Sequence, residues 1–234
     1  MSMGAVPEQV GVVIPAAGQG AQLDGRPLLA WAVAAMEANR SVVAIVVVVP
    51  PKVLDSAAKL LADQGFAKVS AVVPGGATRG GSVAAGLAAL PPGPGFVAIH
   101  DAARPLADHG LVDRLLEMLL ATTAAPAYAG VAPAVAVTDT VRRVDGGGRS
   151  GGVVDRAALR ALQTPQLFRR VVLEAACQGA LQDGFETADE AALVERAGHA
   201  VALITGSVEN LKVTSTLDLL VAEALLAQRM RRDA

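Results

Sequence analysis

The 234-residue sequence contains one cysteine, Cys177, so no internal disulfide can form and no cysteine-based zinc set can be assembled. Cys177 lies in the mostly apolar segment 171–180 and is expected to be a small buried side chain. Aromatic residues make up 3% of the chain, which leaves few rings for stacking nucleobases. Positive charge is not in excess. Twenty Lys and Arg stand against 22 Asp and Glu, a net charge of −2, where a general nucleic-acid binder needs a basic face. A nucleic-acid polymer is therefore not an expected partner. No stretch reaches the apolar length of a membrane span without Gly, Pro or charge, and residues 1–13 lack a basic region followed by a long apolar run. A soluble, cytoplasmic protein with no membrane partner is the expectation.

What is present is a strand-helix alternation. The chain is 53% hydrophobic. Residues 41–49 (SVVAIVVVV) are β-branched without alternation, the pattern of a strand covered on both faces. Strands are expected at 10–14, 41–49, 69–73, 96–100 and 127–135, with helices at 28–38, 53–64, 82–90 and 111–122 between them. That order predicts an α/β fold with a doubly wound, mostly parallel sheet. In such a sheet the ligand sits at the carboxyl ends of the strands. The rhythm then breaks: two Val-containing stretches around Asp145-Gly146-Gly147-Gly148 read as a protruding hairpin arm at about 137–156. Helices at 169–182, 187–197 and 217–230 and a strand at 200–204 complete the expected single domain, 1–234. On the last helix Leu217, Leu220, Val221, Ala224 and Leu225 form the expected apolar stripe.

Four clusters carry chemistry. Ala16-Ala17-Gly18-Gln19-Gly20 follows a strand, and glycines there let backbone N–H groups converge on phosphate oxygens. It is neither a dinucleotide fingerprint nor a Walker A loop, and alone it reads equally well as a tight turn. Gly75-Gly76-Ala77-Thr78-Arg79-Gly80-Gly81-Ser82 could hold a base, ribose or phosphate; Arg79 could equally be a helix-start ion pair and Ser82 an N-cap. His100-Asp101-Ala102-Ala103-Arg104-Pro105 places an Asp at the sheet mouth, a candidate Mg2+ ligand, and an Arg suited to phosphate. A structural Asp–Arg pair is the alternative, and His100, at the end of an apolar strand, reads as structural. The fourth cluster is dispersed: Thr138-Asp139-Thr140, Asp155-Arg156, Thr164-Pro165-Gln166, Asp189-Glu190 and Asn210-Leu211-Lys212-Val213-Thr214.

Taken in order, PAAGxG, GGxxRxxSVxxGL, HDAARP, DT on the arm, DR…QTPQxF, DEA and NxKVT run from Pro15 to Thr214. The series closely resembles the 2-C-methyl-D-erythritol 4-phosphate cytidylyltransferases. That resemblance implies a nucleotidyltransferase, Rossmann-like fold. It also implies Mg2+-dependent transfer of CMP from CTP to methylerythritol phosphate, with release of pyrophosphate, in non-mevalonate isoprenoid synthesis. Carried over by motif, Ala16, Ala17, Gly18 and Gly20 would hold nucleotide, Gly76 and Ser82 would meet cytosine and ribose, and Asp101 would bind Mg2+. Arg104, Thr140, Arg156, Thr164 and Lys212 would surround the polyol phosphate and the transition state. The resemblance further implies a homodimer clasped by its arms, with Thr140 and Arg156 serving the neighbour's site. Another polyol phosphate, such as ribitol phosphate, stays open as the acceptor. A nicotinamide dehydrogenase is disfavoured, since Pro50-Pro51-Lys52 stands where an acidic residue would end the second strand.

One departure stands out. In the family pattern PAAGxG is followed by Arg and later by Pro-Lys; here Gly20-Ala21-Gln22 passes straight into Leu23-Asp24-Gly25-Arg26-Pro27. Losing two charge-assisted contacts is expected to slow the reaction by about 10³-fold or more. Three readings stay open: a gene longer than this sequence between Gly20 and Leu23, replacement by Arg26, or a weak or catalytically silent relative. Arg26 precedes Pro27 at the helix start, and is expected to point away from the loop.

Overall fold

A run such as VVAIVVVV is stable only where both faces of its strand are covered, and the chain supplies helices for each. The computed structural model describes residues 8–16, 21–121 and 127–233. In chain order, β1 (Val10–Pro15) precedes a short hairpin, β2 (Gln22–Leu23) and β3 (Arg26–Pro27). Then come α1 (Leu28–Glu37), β4 (Val42–Val49), α2 (Leu54–Asp63), β5 (Val69–Pro74), α3 (Arg79–Ala89), β6 (Phe96–Ile99) and α4 (Leu111–Ala121). The second half holds β7 (Gly130–Ala136), the arm strands β8 (Arg142–Val144) and β9 (Ser150–Val153), β10 (Arg160–Leu162) and β11 (Gln166–Arg169). It ends with α5 (Arg170–Asp183), α6 (Glu190–Arg196), β12 (Val201–Thr205) and α7 (Thr216–Asp233).

The main sheet runs β10-β7-β11-β6-β1-β4-β5, with β12 paired to β7. β1, β4, β5 and β6 are parallel neighbours, and β12 is parallel to β7. Side chains alternate across it. Val12, Ile14, Ile45 and Val47 face a cluster with Val33 of α1 and Leu115 of α4, while Val13, Val46 and Val48 face Val83 of α3 and Leu173 of α5. The doubly wound, mostly parallel sheet is therefore as expected.

The departures are local. β10 and β11, antiparallel to their neighbours, were not expected as strands. β11 is four residues long and joins α5 directly, so its apolar Leu167 and Phe168 merge with the helical pattern that follows. α3 starts at Arg79 rather than Ser82: Thr78 is the cap, its Oγ1 accepting from the Gly81 N–H at 3.1 Å. The stripe expected on α7 is displaced. Leu217, Leu220 and Val221 are exposed, whereas Ala222 and Leu226 are buried, with Leu219 and Leu225 packed beside them. The buried face is turned from the expected one because α7 leans on the small cluster of Leu23, Leu106 and Val213. Among the described residues, no helix is long and apolar enough to cross a membrane.

Asp24 (φ 51°) and Gly25 (φ 70°) both take left-handed backbone, the geometry that a tight β2–β3 turn demands and that Asp-Gly supplies at little strain. The segment after Gly20 is thus a hairpin leading into α1, with Leu23 buried.

Candidate active site

The carboxyl ends of β1, β4 and β5 and the start of α3 enclose a cleft of about 390 Å³, walled by Ala16, Val49, Pro50, Gly76, Thr78 and Ser82 among others. Glycine is required at Gly76: a Cβ there would lie 3.0 Å from the Gly81 carbonyl carbon and push the start of α3 away. Ser82 donates its hydroxyl to the Thr78 carbonyl at 3.0 Å, so it ties the first turn of α3 together at the cleft wall. Ala17, Gly18 and Gly20 lie outside the described residues.

Beside this cleft, just past β6, Asp101 gathers cations. Its Oδ1 accepts from Arg79 Nη1 at 2.9 Å and its Oδ2 from Lys212 Nζ at 3.0 Å; Arg104 Nε stands 3.9 Å from Oδ2. Burial opposes the Asp101 charge, but Arg79 and Lys212 outweigh it and hold the carboxyl below the usual carboxylate range. Arg79 also donates Nη2 to Glu190 Oε2 at 3.0 Å, and Glu190 is 2% exposed at the start of α6. Three cations thus face two carboxylates, leaving the cluster with one net positive charge beside the cleft.

A second layer fixes Asp101 from behind. Its backbone N–H donates to Thr164 Oγ1 at 2.9 Å. His100, fully buried, meets the Arg104 carbonyl through Nε2 at 3.2 Å and Thr164 Oγ1 through Nδ1 at 3.3 Å. A carbonyl only accepts, so Nε2 carries the proton and Nδ1 accepts from the Thr164 hydroxyl. The hydroxyl is then used in both directions. Burial drives the His100 pKa down to about 4, and the neutral ring is a structural post, in line with its expected role. Arg104 spans to the Asn210 carbonyl at 2.7 Å and the Leu162 carbonyl at 3.3 Å, and Asn210 Nδ2 donates to the Thr164 carbonyl at 2.9 Å. These bonds lock the segment carrying Lys212 onto the end of β6.

The fold therefore brings Asp101, Arg104, Thr164 and Lys212 together, with Ala16, Gly76 and Ser82 in the adjoining cleft. Thr140 and Arg156 are exposed on the arm, and among the described residues no hydrogen bond or ion pair joins them to this cluster. Arg26 is stacked on aromatic rings: its guanidinium lies 4.8 Å from the Trp31 ring centre and 5.7 Å from that of Phe66, while residues 17–20 of the loop it was expected to point away from lie outside the described residues. Cys177 is buried, and burial with nearby Glu190 and Glu174 pushes its thiol up to about 12, so it offers no nucleophile. Three partners, Arg79, Glu190 and Asn210, belong to the four clusters but not to the expected site set. Each stood in a polar run between apolar segments, the only signal available, and only folding shows that those runs meet at Asp101.

A doubly wound sheet with a glycine-walled cleft and an anchored, cation-ringed carboxylate at its carboxyl edge defines a nucleotidyltransferase-like protein. The family model described as IspD, 2-C-methyl-D-erythritol 4-phosphate cytidylyltransferase, matches residues 10–228. The protein of that name from Streptomyces coelicolor is 41% identical, over 98% of this chain and 89% of its own length. Its namesake from Synechocystis is 37% identical over 95% and 99%. The crystal structure of the Thermus thermophilus 2-C-methyl-D-erythritol 4-phosphate cytidylyltransferase superposes with a TM-score of 0.77 at 37% identity, covering 92% of this chain and 98% of that one. A synthase structure from Anaerococcus prevotii gives 0.81 at 25% identity, over 94% and 97%. The chain belongs to the 2-C-methyl-D-erythritol 4-phosphate cytidylyltransferase family.

Proposed function

We propose that this cleft transfers CMP from CTP to 2-C-methyl-D-erythritol 4-phosphate. A phosphate oxygen of the polyol attacks the α-phosphorus, the bond to the bridging oxygen breaks, and pyrophosphate leaves. The observation that carries this reading is Asp101, ionised and held by Arg79 and Lys212 at the carboxyl end of β6 beside the cleft. Every reacting partner is an anion, so catalysis is orientation and charge neutralisation and needs no covalent nucleophile.

The donor set fits Mg2+. Among the described residues no cluster of three or more acidic, His or Cys side chains exists, which argues against an all-protein cage. One ionised carboxylate suits a magnesium ion held mainly by phosphates and water. Asp101 would hold it, and the ion would supply charge to offset the triphosphate. Lys212 would exchange Asp101 for a substrate phosphate, a reading supported by its half-exposed side chain. Thr164 and Arg104, with most of their polar atoms engaged in the protein, act through the position of Asp101 and the Lys212 segment. Ala16, Gly76 and Ser82 line the nucleotide side. Thr140 and Arg156 reach a neighbour's site in a homodimer joined through the arm; the exposed Val144 and Val153 on β8 and β9 support such a contact.

One observation favours a slowed variant of this reaction. Arg26 is the sole cation in the segment 21–27, and it is stacked on Trp31 rather than turned to the cleft. The test of function is pyrophosphate release from CTP with methylerythritol phosphate against ribitol phosphate, for the native chain and Asp101→Asn. The methylerythritol substrate is expected to win, and the variant to lose about 10²-fold or more while staying folded. Unchanged turnover in Asp101→Asn would overturn its assignment.

A further inference from the structure

Glu190 poses a question the reaction does not answer. It is a carboxylate buried at the start of α6, among Ala191, Leu193 and Val194 of the core, and 111 residues from the arginine it binds. Burying a carboxylate is unfavourable unless it is well paired, and an apolar residue would fill such a place more stably. Among the described residues its one ion-pair partner is Arg79, and Arg79 is shared: Nη1 goes to Asp101 and Nη2 to Glu190, at 2.9 and 3.0 Å. The three groups form a chain that ends on the carboxylate at the cleft.

We propose that Glu190 is a positioning residue that acts on Asp101 through Arg79. By holding one edge of the planar guanidinium, Glu190 limits Arg79 to a single contact, with Asp101 Oδ1. Oδ2 is thereby left to Lys212 and to a metal ion. Without the Glu190 charge, both Nη groups are free to close on Asp101 as a fork on a carboxylate, the preferred geometry of an unconstrained Arg–Asp pair. Oδ2, which now meets only the half-exposed Lys212 at hydrogen-bonding distance, would then be held by a second arm of the guanidinium and no longer be free to exchange its partner for a metal ion. The inference rests on the reading of Asp101 as the metal-holding carboxylate.

The test measures metal binding directly. Mn2+ stands in for Mg2+, and free Mn2+ is followed by electron paramagnetic resonance in the presence of CTP. The proteins are the native chain, Glu190→Gln, Asp101→Asn and the double variant, each with a thermal melt. Glu190→Gln keeps the shape and is expected to weaken Mn2+ binding about tenfold, the range for partners that orient a metal-binding carboxylate. It should lower kcat and leave the KM for polyol phosphate unchanged. Glu190→Asp, which keeps the charge, should recover part of the loss. On the Asp101→Asn background, Glu190→Gln should add less than about twofold, because the two act as one unit. Arg79→Lys, which reaches only one carboxylate at a time, provides the same test should Glu190→Gln not fold. Native Mn2+ affinity in Glu190→Gln, or an equal loss on both backgrounds, overturns the proposal. If Asp101→Asn itself binds Mn2+ as the native chain does, the metal reading falls and takes the proposal with it. If Asp101→Asn binds weakly and Glu190→Gln does not, the proposal alone falls.

Discussion

His100 gives a stability prediction that can be worked from the structure. The ring is fully buried, with its Nε2 on the Arg104 carbonyl and its Nδ1 on the Thr164 hydroxyl, so protonation would break the second of these bonds and bury a charge. Burial lowers its pKa from 6.5 to about 4; Arg104 adds to the fall, and Asp101 opposes it. The unfolded chain takes up the proton first. Stability from His100 is therefore complete above about pH 6.5 and drains away as the pH falls towards 4. At 1.36 kcal/mol per pH unit the loss amounts to about 3 kcal/mol. Asp101, held below the usual carboxylate range, loses its own contribution only below about pH 4, so the two windows separate. Glu190, raised mainly by burial, works with the opposite sign, favouring the fold as it takes up a proton. The assay is urea unfolding of the native chain and His100→Gln at intervals from pH 7.5 to 4.5. The native chain should lose about 2.5 kcal/mol more than the variant over that span, the remainder coming only below about pH 4.5. Parallel curves for the two proteins would refute the account of His100 as a neutral buried post.

Three further outcomes follow from the site and the arm. CTP at about 100 times its dissociation constant should raise the melting temperature by roughly 5–10 °C, and ATP and GTP by clearly less; equal shifts would remove the cytidine assignment. Random mixing of Arg156→Ala chains with Asp101→Asn chains should restore about a quarter of native activity if arms serve the neighbour's site, since half the dimers would carry one intact site. A monomer by light scattering, or no recovery, would contradict the shared site. Inserting a family-like segment with Arg and Pro-Lys between Ala21 and Leu23 should raise kcat about 10³-fold with a smaller change in CTP affinity, and an unchanged kcat would make those cations dispensable here.

Residues 41–49 predicted a doubly covered strand because both their faces are apolar, and β4 alternates its side chains between the two cores. The motif order placed Asp101, Thr164 and Lys212 in one site, and the fold brings them within hydrogen-bonding reach of one another or of a shared partner. What stayed hidden was short or long-range. β10 and β11 span three and four residues, too few for periodicity to register. The true face of α7 depends on where Leu23 and Leu106 come to lie, which no local pattern encodes. The Glu190–Arg79 pair joins residues 111 apart, and each end alone reads as an ordinary helix-start charge.

The short segment after Gly20 and the crowded Asp101 site bear on one question: how this chain neutralises a triphosphate. Arg79 is divided between two carboxylates and Arg104 is fastened to two carbonyls. Arg26 is stacked on aromatic rings 4.8 and 5.7 Å away, and the Asp24-Gly25 turn directs it there by closing β2 on β3. Among the described residues, Lys212 alone of the cations near the cluster combines a half-exposed side chain with a single ion-pair partner. When that partner is engaged elsewhere, the Lys212 ammonium is free to turn towards an incoming phosphate without unpicking the bonds that hold β6, the Thr164 turn and the Asn210 segment together. On the proposed reading, charge that the family pattern distributes over a loop would rest in this chain mainly on Lys212, joined by Arg156 if the arm serves a neighbour's site. On that reading the expected outcome is a rate that depends steeply on Lys212, with Lys212→Ala lowering kcat far more than it weakens CTP binding; equal losses in the two would refute it.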